Sequence, residues 1–271
     1  MSNIIQHVRP FAPYAVIPAG IFAIYKLLNW FIPGPHHHRK LTFKDKTVLI
    51  TGASSGLGRQ LAFDLYKKGA KLILVARSID KLKKLCEELK TSHPDNPHEP
   101  EYEYLDIADT TIDVTNLRKR AIDGQTIDIL INNAGISMRG RIDETPISIH
   151  KQVMDVNYFG QIDVTMQLLP YIPDDGCIIV ISSVQGKIPV PYRSSYAASK
   201  HALQAFFDTL RSESRPKLHI LVVSAGYMNT GFGSRALDVD GKPTGQEDEN
   251  QLKVSQCELL ISWKLRKKNI I

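Results

Sequence analysis

The stretch "TVLITGASSGLGRQLAFDLYKKGAKLILVAR", residues 47–77, decides the fold. It opens with a short apolar run rich in β-branched residues, turns through glycines, and continues as a helical pattern that stops at Gly69. A second apolar run, residues 71–77, follows at once. Strand, glycine-rich turn, helix and strand in that order make one βαβ unit, whose two strands must run parallel. The turn, "TGASSGLG" at 51–58, spaces its glycines as Gly-x-x-x-Gly-x-Gly. Gly52 permits the tight turn, Gly56 lets the backbone approach a ligand, and Gly58 lets the helix pack closely on the sheet. Such a loop, with Ser54, Ser55 and Leu57 between its glycines, aims helix N-terminal amides at a pyrophosphate.

The end of the second run refines the ligand. An NAD site wants a carboxylate there to hold the ribose 2′-hydroxyl. This chain instead has Ala76 followed by Arg77, and a guanidinium pairs with a 2′-phosphate. NADP(H) is therefore the expected cofactor.

Outward from this unit the alternation continues. "IDILINNAG" (127–135), "GCIIVISS" (176–183) and "LHILVVSAG" (218–226) repeat the strand pattern, with helical tracts between them. Strands alternating with helices predict an α/β fold: a doubly wound parallel sheet, the Rossmann arrangement, over residues 40–271. "TSHPDNPHEPE" (91–101) reads as a proline-broken surface loop. At 271 residues, 43% hydrophobic and 23% charged, the chain has the composition of an ordinary globular domain. The net charge of +6 suits anionic ligands or membrane surfaces. The basic residues are scattered and not interleaved with aromatics in one tract, so no nucleic-acid partner is expected. Cys86, Cys177 and Cys257 are odd in number and widely spaced, which predicts reduced thiols. The run His36–His38 lies in a polar linker, and no metal site is expected.

The N-terminal residues 1–39 stand apart as an anchor and linker. "FAPYAVIPAGIFAIYKLLNWFI" (11–32) is apolar apart from Lys26 and Asn29. As a helix it would reach roughly 33 Å, near the hydrocarbon thickness of a bilayer. The expectation is a single membrane-spanning helix, with Tyr14 and Trp30 at the interfaces and Lys26 snorkelling. A helix lying on the membrane surface is the alternative. Neither a basic leader region nor a small-residue cleavage site frames the run as a signal peptide.

"PYRSSYAASK" (191–200) places Tyr196 four residues before Lys200. On a helix the two side chains share a face. They are then either a surface pair or a phenol acid whose proton affinity a cation tunes. Spacing alone leaves both readings open.

With "TGASSGLG", "NNAG" (132–135), "VMDVNYFG" (153–160), Ser183 and "YAASK" (196–200) in order, the chain resembles the short-chain dehydrogenase/reductases from about residue 44 to 230. "NNAGISMRG" and "ISSVQGKIPVPYRSSYAASKHALQAFFDTLR" are similar to the membrane-anchored dehydrogenase/reductase member 7 branch. The resemblance implies an enzyme in which Tyr196 is the acid/base, Lys200 lowers its pKa and binds the nicotinamide ribose, Ser183 steadies the substrate oxygen, and Asn157 holds a relay water. It implies further cofactor contacts at Asn132, Ala134 and Gly135, at Asp106 beside the adenine (Asp113 is a rival alignment), and at Thr230 by the nicotinamide amide. It also implies a lipid-like carbonyl substrate, such as acyl- or alkyl-dihydroxyacetone phosphate, or alternatively a steroid or retinoid. A homodimer and the endoplasmic reticulum or peroxisome membrane follow from the same likeness. The apolar "ALQAFF" (202–207) suits a dimer surface or the core equally.

Three departures stand out. Ala225-Gly226 replaces the family's Pro-Gly, and Ser55 stands where many NADP-preferring relatives carry Lys or Arg. Beyond Thr230, "KVSQCELLISWKLRKK" (253–268) supplies a last helix and "NII" only the start of a last strand. A shortened sheet is the expectation, with a non-catalytic nucleotide-binding membrane protein as the alternative to an active enzyme.

Overall fold

A computed structural model describes residues 12–31, 41–109, 111–213 and 215–247. The chain divides at residue 42. Before the division lies one helix, α1 (Ala12–Phe31), with Pro18 inside it. Its side chains from Ile17 to Leu28 are exposed. Among the described residues no helix is long and apolar enough to cross a membrane. The expected span over 11–32 is thus not found; Pro18, Lys26 and Asn29 interrupt the apolar run. The expected helix at 253–268, the strand start "NII", His36–His38 and Cys257 lie outside the described residues.

The second unit is a parallel sheet wrapped by helices. Its strands are β1 (Thr47–Thr51), β2 (Lys71–Ala76), β3 (Glu101–Tyr104), β4 (Ile129–Asn132), β5 (Cys177–Ser183) and β6 (His219–Ala225), in the spatial order β3-β2-β1-β4-β5-β6. Each neighbouring pair is parallel. The central strands β1, β4 and β5 are buried along their whole length, as continuous apolar runs require when helices cover both faces. The helices are α2 (Gly56–Tyr66), α3 (Ile79–Ser92), α4 (Thr115–Ile122), α5 (Ile147–Met154), α6 (Gly160–Leu168) and α7 (Ser194–Glu213). Leu49, Ile73, Leu130, Ile178 and Val180 from the strands meet Leu117, Val164, Leu168, Leu203 and Phe207 from the helices in one core cluster. Leu203 and Phe207 thereby place part of "ALQAFF" in the core. Cys86 and Cys177 are buried free thiols, and burial pushes them up to about 11 and about 12 respectively.

Sequence patterning predicts five strands; the sheet also has β3. "EYEY" alternates half-buried glutamates with exposed tyrosines, which is the pattern of an edge strand and carries no apolar run. The strand order reverses on either side of β1, so the crevice for a ligand opens at the carboxyl ends of β1 and β4.

Candidate active site

The glycine loop leaves β1 at Thr51 and enters α2 at Gly56. Gly52 (φ +65°) and Gly56 (φ +56°) occupy the left-handed region, where a side chain is strained. A Cβ on Gly52 would lie 2.8 Å from Ala134 Cα, and one on Gly58 would collide with Gly52 O and Asn133 Nδ2. The loop from β4 is stitched to this turn. Thr51 Oγ1 accepts from Asn133 N (3.0 Å) and Ala134 N (3.1 Å), while Asn133 Nδ2 donates to Thr51 O at 2.9 Å and Gly52 O at 3.3 Å. Ser55 makes no side-chain cap at the start of α2, so no side chain of that turn occupies its first amides. Arg77 is exposed directly after β2, and Asp106 follows β3, accepting from Ala108 N at 3.0 Å.

Tyr196 and Lys200 both lie on α7 and both are buried, 8% and 3% exposed, so the surface-pair reading falls. Lys200 Nζ is 5.9 Å from the centroid of the Tyr196 ring and donates to Ile181 O at 2.9 Å. Burial depresses the Lys200 ammonium to about 8. Burial also raises the Tyr196 phenol, while a hydrogen bond with Ser183 and the charges of Arg193 and Arg139 pull it back down. Two cations acting on Tyr196 are thus these arginines.

Ser183 ends β5 and accepts from Gln185 N at 3.1 Å. Its neighbour Ser182 instead accepts from Gln204 Nε2 at 2.9 Å and belongs to the core. Asn157 sits in a π-turn (Asp155–Phe159) between α5 and α6. Its side chain accepts from Ile136 N and donates to Ile136 O, both at 2.8 Å, and donates to Ser199 Oγ at 3.0 Å. A Cβ on Gly135 would stand 3.1 Å from Asn157 Oδ1 and 3.6 Å from Lys200 Nζ. The segment behind Tyr196 is fixed as well: Ser195 Oγ and His150 Nδ1 are 2.5 Å apart, and Gly140 N donates to Tyr192 O at 3.1 Å.

The short chain dehydrogenase pattern matches residues 46–238. The chain belongs to that family. It is 42% identical over 238 residues to dehydrogenase/reductase SDR family member 7B of Xenopus tropicalis, covering 85% of this chain and 74% of the relative. The mouse protein of the same name is 40% identical over 235 residues, covering 85% and 71%. Among solved structures, an alcohol dehydrogenase from Thermococcus sibiricus complexed with 5-hydroxy-NADP superposes with a TM-score of 0.66 at 26% identity. That match covers 77% of this chain and 84% of the other. A short-chain dehydrogenase of Shigella flexneri complexed with NADP gives 0.65 at 25%, covering 76% and 89%.

Within this short-chain dehydrogenase, the expected set divides by place. Gly52, Ser54, Ser55, Gly56, Leu57, Gly58, Ala134 and Gly135 gather in the crevice, with Asn157, Ser183, Tyr196 and Lys200 at its other end. Thr230 faces the glycine loop, its carbonyl oxygen 3.3 Å from the point where a Gly56 Cβ would lie. Asp113 accepts from Thr115 N at 2.8 Å just before α4, as Asp106 accepts from Ala108 N just after β3. Asn132 departs from expectation. It is wholly buried and donates through Nδ2 to Thr165 Oγ1 at 2.7 Å, turned toward α6, because alternate strand residues face opposite sides. Asn133, one residue on, holds the glycine loop in its place. Sequence reasoning also missed Arg139 and Arg193. Arg193 stands three residues before Tyr196 in the quoted "PYRSSYAASK", where i, i+3 spacing could have flagged it, whereas only folding brings the charge of Arg139 to Tyr196.

Proposed function

We propose that this short-chain dehydrogenase transfers a hydride between NADP(H) and the carbonyl or secondary alcohol of a lipid-like substrate, with Tyr196 as acid and base. The observation that carries the reading is the buried Ser183–Tyr196 hydroxyl pair, with Lys200 one helical turn away, at the end of a crevice floored by glycines. The crevice fits a dinucleotide: the left-handed turns at Gly52 and Gly56 and the first amides of α2 make a cradle that a Cβ would fill. Gly52 to Gly58, Ala134, Gly135, Asp106 and Thr230 would hold the cofactor, and Arg77 would meet its 2′-phosphate.

NADP(H) supplies the hydride; the chain manages the proton. Reduction of a ketone builds alkoxide character on the carbonyl oxygen, which needs a donor in a water-poor site. Tyr196 Oη gives that proton, and Ser183 Oγ holds the same oxygen in reach. Lys200, with an ammonium near 8, loses and regains a proton close to neutral pH, so it can resupply the phenol, drawing its own proton from solvent through the polar path at Asn157. In the oxidative direction Tyr196 accepts the proton instead.

Phe232 packs against Tyr196 with ring centroids 6.0 Å apart, an apolar wall suited to an alkyl chain. The resemblance to the member 7B relatives points to a polar headgroup beside that chain. Together they favour acyl- or alkyl-dihydroxyacetone phosphate over a steroid or retinoid. The exposed apolar side chains of α1, Ile17, Ile21, Phe22, Ile24, Leu27 and Leu28, support association with a membrane, that of the endoplasmic reticulum or peroxisome.

The test is Tyr196→Phe, assayed with NADPH and acyl-dihydroxyacetone phosphate. Turnover should fall at least about a thousandfold, while NADPH affinity, followed by nicotinamide fluorescence, stays within about threefold. Undiminished turnover in that variant would sink the mechanism.

A further inference from the structure

One cation stands at the phosphate end of the crevice and belongs to no motif. Arg235 is exposed, yet its guanidinium turns toward the glycine loop. A Cβ on Gly56 would lie 3.2 Å from Arg235 Nη2. The same nitrogen donates to Thr230 O at 3.2 Å. Among the described residues no carboxylate pairs with Arg235: Glu247 Oε1, which lies with Arg235 Nη1 beside the point where a Gly231 Cβ would be, already accepts from Ser234 Oγ at 2.7 Å. Arg235 therefore faces the first turn of α2, whose amides and dipole are already positive and whose Ser55 offers no capping side chain. A guanidinium set beside the positive first turn of a helix is best reconciled by an anion that both can bind.

The main chain keeps Arg235 in that position. Its neighbours Ala236 and Leu237 are buried, 0% and 9% exposed. Leu237 N donates to Ser137 O at 2.8 Å, and Leu237 O accepts from Arg139 N at 2.7 Å. Thr244 N donates to Ala236 O at 2.8 Å, and Gly245 N to Ser234 O at 3.0 Å. Arg235 thus projects from a segment hydrogen-bonded on both sides, which limits the entropy lost when its side chain closes on a ligand.

We propose that Arg235 is a ligand of the cofactor's pyrophosphate, closing on it beside the α2 amides. The inference rests on the NADP(H) reading above and adds a contact from outside the glycine motif. A guanidinium meets phosphate oxygens in a planar, charge-assisted pair. Because the pyrophosphate is common to both dinucleotides, Arg235 raises affinity for NADPH and NADH alike. Arg77, at the 2′-phosphate, affects NADPH alone.

The experiment uses the full chain in detergent and compares wild type, Arg235→Ala, Arg235→Lys and Arg77→Ala. NADPH and NADH are titrated by fluorescence, and adenosine 2′-monophosphate, which lacks a pyrophosphate, by calorimetry. Arg235→Ala should weaken both dinucleotides by the same factor, about tenfold, and leave adenosine 2′-monophosphate within about twofold. It should also flatten the salt dependence of NADPH binding, and Arg235→Lys should recover part of the loss. Arg77→Ala should weaken NADPH and adenosine 2′-monophosphate and spare NADH. Unchanged NADPH affinity in Arg235→Ala overturns the inference and leaves the NADP(H) reading standing. Equal loss for adenosine 2′-monophosphate also overturns it, because a general collapse of the site would then explain the effect. A wild type that binds neither dinucleotide removes the NADP(H) reading and Arg235's role with it.

Discussion

At the glycine end of the site the shape is made by main chain, whereas at the tyrosine end it is made by buried side chains. The glycine end depends on what is missing: a Cβ at residue 52, 56 or 58 would enter space already taken by Ala134, Thr230, Arg235, Gly52 or Asn133. The tyrosine end depends on what is present and on its desolvation, since burial moves both Tyr196 and Lys200 away from their ordinary proton affinities. A steric site fails abruptly when atoms are added. An electrostatic site shifts gradually with pH and with each neighbouring charge. The contrast teaches that the same crevice should answer to two kinds of perturbation, and each end can be broken separately.

The largest effect is expected from adding one methyl group at the glycine end. In Gly58→Ala the new Cβ meets Gly52 O and Asn133 Nδ2, both held by hydrogen bonds, so neither yields without shifting the loop. Overpacking of this kind costs about 3 kcal/mol, and the displaced turn no longer matches the pyrophosphate. NADPH fluorescence titration should show binding lost or weakened more than about a hundredfold, and thermal melting should show a drop of several degrees. Near-normal affinity in this variant would mean that the backbone at the glycine end is softer than its packing implies.

The two ends were also unequally legible in the amino-acid sequence. Glycine spacing after an apolar run points directly to a turn and a ligand, because few other needs place three glycines there. The Tyr196–Lys200 spacing did not by itself distinguish a surface pair from a catalytic one; burial decides that, and burial is a property of the whole fold. Five strands could be read from their apolar runs. β3 could not, because an edge strand needs only one buried face and "EYEY" supplies it with glutamate stems. Asn132 and Asn133 show the limit of a motif. Four letters name the neighbourhood, but the pleat decides which asparagine enters the core and which reaches the glycine loop. Arg193 lies three residues before Tyr196 and was legible in principle, but Arg139 is 57 positions away, and no local pattern joins it to Tyr196.

At the tyrosine end the comparison is sharpened by pH. Lys200 has a folded pKa of about 8 against an ordinary 10.5. Between those values the unfolded chain binds the extra proton, so stability rises with pH across the window. Below about 8 the penalty for the buried charge is fully present. Lys200→Met keeps the stem and removes the titration, at the cost of an unpaired Ile181 O that does not vary with pH. The stability of wild type relative to the variant should therefore climb by about 3 kcal/mol from pH 7 to above pH 10. Urea unfolding of the ligand-free proteins at several pH values gives the difference, in which the shared titrations of Cys86 and Cys177 cancel. A difference flat with pH would show that Lys200 is better solvated than its position at the foot of the crevice suggests.

The smallest effect is expected where the two ends are joined. Asn133 Nδ2 ties the loop after β4 to Thr51 O and Gly52 O, so it sets the spacing between the cradle and the segment leading to Asn157. Asn133→Ala removes both bonds and adds no clash, and the backbone bonds from Asn133 N and Ala134 N to Thr51 Oγ1 remain. The expected loss is about 1–2 kcal/mol of stability, with NADPH affinity weakened only a few-fold. A fall in turnover beyond the fall in affinity would show that the spacing itself matters for aligning hydride and proton transfer. An equal fall in both would assign Asn133 to the cradle alone. The variant therefore separates a residue that merely braces the glycine end from one that transmits its position to Tyr196.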